Sequence, residues 1–228
     1  MNNTRPLVIA AALILISGNL ASAQDMSRYR AYALESSLAS VIAASGARPG
    51  DAKTPHMRPA RIDELEWRAP YVFSGDQNPD PVRSIAFSFY NDALYQVIVN
   101  YDRDRTAGLT NTDLIESISA TYGVSLLATA KTRTSAPAEA ADDSLVLARW
   151  DTADSQLTLL RGTYMPDYQL ILISKSLSTR ARTAIRDAVK LDANEAPGRE
   201  AEQRKRAAGA AAAALDKTRV TNKAAFRP

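Results

Sequence analysis

The residues best suited to chemistry gather in YDRDRTAGLTNTD, between Tyr101 and Asp113. Asp102, Asp104, Thr106 and Asp113 stand at the first, third, fifth and twelfth places of a calcium-loop count, with Leu109 at the apolar eighth. Three features depart from that pattern. Ala107 stands where the sharp turn wants glycine, the last ligand is a short aspartate, and Arg103 and Arg105 bring two cations into the loop. A charged strand-to-helix turn with Asp–Arg pairs uses the same residues, so these four form a calcium candidate beside that plainer reading. The single histidine, His56, lies between Pro55 and Pro59 in KTPHMRP. It lacks a second imidazole or any thiolate to share a zinc ion, and is expected as a loop residue, solvated or packed on Trp67. Asp63, Glu64 and Glu66 could serve a glycosidase, but strand alternation sets Glu64 and Glu66 on the solvent side, opposite Leu65 and Trp67. The serines include no G-x-S-x-G elbow, and no glycine-rich phosphate loop or dinucleotide fingerprint occurs. No catalytic or cofactor-binding residue is assigned, and no cofactor is expected.

Compartment follows from the first residues. MNNTRPLVIAAALILISGNLASAQ has an early cation at Arg5, an apolar run from Leu7 to Ile16, and a small-x-small ending at Ala21–Ala23. Those are the three parts of a secretory signal peptide. Residues 1–23 are therefore expected to be removed, leaving a periplasmic or secreted chain that begins at Gln24. The absence of cysteine excludes a disulfide framework and a thiol nucleophile. A formal net charge of +3 over 228 residues gives no field suited to nucleic acid, and none is expected as a partner.

Periodicity gives the elements. YRAYALESSLASVIAASG places Leu34, Leu38, Val41 and Ile42 on one helical face, with Gly46 at the C-cap. A Pro-rich connector follows, then a short strand at RIDELEWRA and a loop at SGDQNPDPV. SIAFSFYNDALYQVIVNYD alternates on both sides of Asn91-Asp92 and reads as a hairpin. A two-residue turn would set Phe87 beside Gln96. An odd loop of three or five residues, which puts Phe87 and Phe89 with Tyr95 and Val97, is therefore expected. TNTDLIESISATYG reads as a helix capped by Thr110 or Thr112, with Leu114, Ile115, Ile118 and Tyr122 inward. After a small-residue linker come three strands, SLVLARW, SQLTLLRG and YQLILISKSL. TRARTAIRDAVKLD is then a helix facing inward with Ala181, Ile185, Ala188 and Val189.

This order repeats: helix, Gly, connector and three strands, the first carrying Trp67 in one half and Trp150 in the other. The expected fold is α+β. One antiparallel sheet system is built from two similar helix-plus-three-strand units, about 26–102 and 110–192, inside a domain spanning 24–192, with helices packed on one face. Helix followed by meander, with SSLASVIAASG ahead of the sheet, resembles the tandem modules of the β-lactamase-inhibitor-protein fold and the small outer-membrane-assembly lipoproteins that share it. LEWRAPY and YDRDRTAGLTNTDLIESISATYG resemble an uncharacterised family of exported bacterial proteins. The first resemblance implies a binding or assembly role.

The last segment, 193–228, is an alanine-rich basic tail in which eight cations face four anions. Pro197-Gly198 is expected to break the preceding helix, leaving the tail helical or disordered. Arg204, Lys205 and Arg206 are its contact candidates, for weak attraction to anionic lipid or cell wall. Together these features point to a non-enzymatic protein-binding or envelope-assembly module with an envelope protein partner. The alternative is a carboxylate-dependent hydrolase of cell-wall material.

Overall fold

The computed structural model describes residues 25–70, 80–127, 144–162, 167–225 and 227. The expected signal peptide, most of the SGDQNPDPV loop and the whole of the small-residue linker after Leu127 lie outside the described residues. The chain forms helices over a large antiparallel sheet, so the α+β class is observed. Among the described residues no helix is long and apolar enough to cross a membrane.

The chain begins with a small hairpin, β1 (Arg28–Tyr29) and β2 (Tyr32–Ala33). This displaces the front of the expected first helix. Arg30 and Glu35 adopt positive φ, which interrupts helical winding, and α1 (Leu38–Ser45) starts only after the Ser37 side chain accepts from Ser40 N–H. Gly46 ends α1 in the left-handed conformation, as expected. The sheet strands are β3 (Lys53–His56), β4 (Ile62–Arg68), β5 (Val82–Tyr90) and β6 (Ala93–Tyr101), followed by α2 (Asn111–Tyr122). Then come β7 (Leu126–Leu127), β8 (Ser144–Asp151), β9 (Ser155–Gly162) and β10 (Tyr168–Ser174), and the chain closes in α3 (Lys175–Ala225).

The eight long-range strands form one sheet in the order β3-β4-β5-β6-β10-β9-β8-β7. Each half meanders, and the halves meet where the last strand of each pairs antiparallel, Leu170 opposite Val99 and Leu172 opposite Val97. Each half has a fourth strand beyond the three expected. One of these, β3, comes from the supposed connector. Pro55 is tolerated there because β3 is at the sheet edge, where no neighbour asks for its missing N–H.

The β5–β6 hairpin differs from the expected odd loop. Tyr90 pairs with Ala93, so Asn91-Asp92 is a two-residue turn, and φ values of 47° and 70° suit the primed turns that match strand twist. A register shift between Ser88 and Phe89 reconciles that turn with one apolar face. Phe87 still faces Val97, Phe89 faces Leu94, and Tyr95 is thrown to the opposite side.

The two sheet faces are covered differently. The larger core joins Leu65, Phe87, Phe89, Val97, Leu159, Leu170 and Trp150 to Val41 of α1, Leu114, Ile118 and Tyr122 of α2, and the β1–β2 hairpin. The other face packs Ile62 and Tyr95 against Ala181, Leu177 and Ile185 of α3. Helices thus lie on both faces, not one. Burial is possible on both because the central β10 carries Leu170 and Leu172 on one side and Ile171 and Ile173 on the other. Ser178, Ala181, Ala184 and Ala188 are the buried residues of α3, while Val189, expected inward, is 56 % exposed.

The third helix does not break at Pro197. It runs for 51 residues, about 76 Å at 1.5 Å per residue, with Pro197 inside it. Alanine propagates helix on its far side. Arg199 spans the proline, donating to the Asp192 carbonyl at 3.1 Å and pairing with Glu195 at 3.3 Å. Glu195 also holds Arg58 of the β3–β4 connection at 2.9 Å. From residue 197 to residue 225 every position is exposed.

Candidate functional site

The acidic loop between β6 and α2 is organised by its own backbone. Asp102 Oδ1 accepts from the N–H groups of Asp104 and Arg105 at 3.0 and 3.1 Å, and the Thr106 hydroxyl donates to the Asp102 carbonyl at 2.8 Å. Asp113 closes a capping box with Thr110. Its carboxylate accepts from the Thr110 N–H at 2.7 Å, while Thr110 Oγ1 accepts from Asp113 N–H at 3.2 Å. Those bonds from the Thr110 backbone and hydroxyl hold the Asp113 carboxyl below its ordinary pKa. Thr106 is buried. Among the described residues no group of three or more His, Asp or Glu side chains is placed to hold a metal ion. The structure therefore does not gather Asp102, Asp104 and Asp113 with Thr106 into one cage.

The other acidic candidates separate as well. Asp63 is 1 % exposed and accepts from Thr54 Oγ1 at 2.6 Å and Arg61 Nε at 3.0 Å, which ties β3 to β4. Glu64 and Glu66 are exposed, and Glu66 is engaged by Arg68 at 3.0 Å. His56 ends β3, partly buried and opposite Ile62.

Beside the acidic loop, β1, β6, α2 and β10 each contribute a tyrosine to a set bounded by two arginines, which the sequence reading did not single out. Arg30 projects from the β1–β2 turn and makes a two-pronged ion pair with Asp80, at 2.7 and 2.8 Å. That bond keeps the Asp80 carboxyl below its ordinary range. The Arg30 guanidinium also sits 5.3 Å from the centre of the Tyr29 ring. Tyr29 shares a hydrogen bond with Tyr101 at the end of β6, and the Tyr122 hydroxyl donates to the Arg28 carbonyl at 3.2 Å. Loss of hydration raises all three phenols, Tyr122 to about 12.

Tyr168 completes the set on β10, just past the Gln169–Asn100 pair that joins β10 to β6. Its hydroxyl donates to Asn111 Oδ1 at 3.0 Å, and the Arg161 guanidinium of β9 lies over its ring at 5.7 Å. A faint signal for this set existed in the chain: Tyr29, Tyr101, Tyr122 and Tyr168 all fall at the ends of elements. Sequence periodicity assigns such residues to a face and says nothing of which ends meet.

The tail candidates Arg204, Lys205 and Arg206 stand on the exposed part of α3. Arg206 pairs with Glu202 at 3.1 Å and Arg204 with Glu200 at 4.0 Å, one helical turn back in each case.

Comparison with family models, curated proteins and solved structures finds no match for this chain.

Proposed function

We propose that the protein is an exported, non-enzymatic binding or envelope-assembly module in which the sheet carries α3 as a contact arm. The observation that supports this most is the exposure of residues 197–225 on a helix continuous with one that packs on the sheet. A helix solvated all round has no core to stabilise it and depends on alanine propensity and on pairs one turn apart. Such an arm, about 43 Å long, reaches well beyond the sheet that holds its root. Its partners under this reading are an envelope protein and, more weakly, anionic lipid or cell-wall polymer met by Arg204, Lys205 and Arg206. The tandem, mirrored strand order supports reading the halves as two similar units that together seat the arm.

The test is sedimentation of the purified mature chain with isolated bacterial envelope and with phosphatidylglycerol vesicles. The full chain should co-sediment, and less so as salt shortens the Debye length from ~10 Å at 0.1 M toward ~3 Å at 1 M. A chain ending at Ala196 should stay in the supernatant. Equal sedimentation of the two would end the arm reading.

A further inference from the structure

We propose a second contact surface, independent of the arm. Arg161, flanked by Leu109 and Leu145, is the anchor for a carboxylate on an extended apolar segment of a partner protein. Arg161 is partly buried on β9, directly opposite Tyr168 on one neighbouring strand and Leu145 on the other. Its guanidinium is held from two sides, over the Tyr168 ring at 5.7 Å and against Asn111 Oδ1 at 3.5 Å. Tyr168 is fixed in turn by its hydroxyl, which donates to Asn111 Oδ1 at 3.0 Å and lies 3.5 Å from the Leu109 carbonyl. Asn111 opens α2, whose first turn is already closed by Thr110 and Asp113.

The arginine is thus oriented by neutral groups. Among the described residues no carboxylate is paired with it, although Arg30, Arg58, Arg61, Arg68, Arg199, Arg204, Arg206 and Arg219 each have one. A guanidinium has five N–H donors in a planar fork, and a cation–π contact with one bond to Asn111 leaves most of them available. The flanks are apolar and open, Leu109 at 45 % and Leu145 at 48 % exposure. An Arg–Tyr cation–π pair with two part-exposed leucines on the neighbouring strand and loop has the make-up of an interface centre, in which apolar contact strips water from a charged bond.

Charge complementarity selects the occupant. An unpaired fork takes an anion, and the leucines favour a carboxylate carried on apolar chain over a strongly hydrated free phosphate. Leu145 and Arg161 lie on adjacent strands, within the spacing that one extended segment can touch with successive contacts.

The experiment uses a fluorescein-labelled peptide of alternating leucine and aspartate, and the same peptide with asparagine for aspartate, titrated against the mature chain by anisotropy. The aspartate peptide should bind, and the asparagine peptide should bind about tenfold more weakly or worse. Arg161→Gln should erase that preference, Arg161→Lys should restore part of it, and Leu145→Ser should weaken both peptides together. Arg83→Gln, on an exposed position of β5, should change nothing. The chain ending at Ala196 should bind the peptide as the full chain does, even if the arm proves to contact nothing. Unchanged thermal midpoints establish that each variant is folded; should Arg161→Gln not fold, Arg161→Lys and Leu145→Ser carry the comparison. Equal affinity for the two peptides would overturn the proposal. So would displacement of the peptide by inorganic phosphate at the same concentration as by unlabelled peptide. If Arg161→Gln lowers sedimentation with phosphatidylglycerol vesicles but leaves peptide binding alone, the surface is a lipid contact and the proposal is wrong.

Discussion

Phe87 is wholly buried between Val97 and Leu65 on neighbouring strands, with the Tyr32 ring edge-on at 4.7 Å. Phe87→Ala removes an aromatic ring from a face closed by two helices, so chemical unfolding should show a loss of ~3–5 kcal/mol. Ser88→Ala, one residue on and facing the other way, should shift stability by less than about 0.5 kcal/mol. A second residue-scale outcome concerns alkaline pH. Tyr122 keeps its proton to about 12 in the folded chain, against ~10 when unfolded. Between those values the folded state binds more protons, so stability is full below pH ~10 and falls as pH rises toward 12. Tyr29 and Tyr101 are raised in the same direction and add to the fall. Tyr122→Phe should flatten part of that slope in unfolding midpoints measured from pH 8 upward. Phe87, Phe89 and Val97 were legible as one face from their spacing. Tyr95 was not, because a bulge adds a single residue without changing the composition that alternation is read from.

At the scale of elements, the tight turn at Asn91-Asp92 does more than reverse the chain. Asp92 Oδ1 accepts from Leu38 N–H at the start of α1, at 3.0 Å, while Asn91 exchanges bonds with Arg61, the residue just before β4. One turn therefore aligns two strands and a helix. Asp92→Ala should cost ~1–2 kcal/mol, from the lost helix-end bond and from alanine held at φ 70°. Asp92→Gly should cost less, since glycine accepts that φ freely and only the bond is lost. Thermal unfolding would give the two variants equal midpoints if the side-chain bond were all that mattered. The elements of high period were readable: the Gly46 stop, the strands from β8 to β10, and the start of α2 to within the choice between Thr110 and Thr112, which the Thr110–Asp113 capping box decides. Two things were not. Local propensity at Tyr29–Leu34 favours helix, and the pairing of Tyr29 with Tyr32 under the sheet overrides it. At Pro197 the local rule says stop, yet alanine on one side and the Arg199 bonds across the proline carry the helix through.

For the molecule as a whole, the root of α3 belongs to the fold and its outer part does not. Ala188 is the last buried residue of that helix, and Glu195, bridged to Arg58, ties it to the β3–β4 connection seven residues further on. A chain ending at Ala196 should thus melt within the scatter of repeat measurements, whereas one ending at Arg180, before Ala181 and Ile185, should melt lower by several degrees. Equal midpoints for all three lengths would mean that α3 contributes nothing to its face. The sheet itself has a consequence in time. Within each half every strand pairs with its neighbour in sequence, but the β6–β10 junction brings together residues such as Asn100 and Gln169, 69 positions apart. Local hairpins close in microseconds, while a contact of that range must first overcome the entropy of a long loop. Folding speed is therefore set at the junction. Trimming Val99 or Leu170 there should slow refolding in stopped-flow measurements, while trimming Leu147 near the far edge should mainly quicken unfolding.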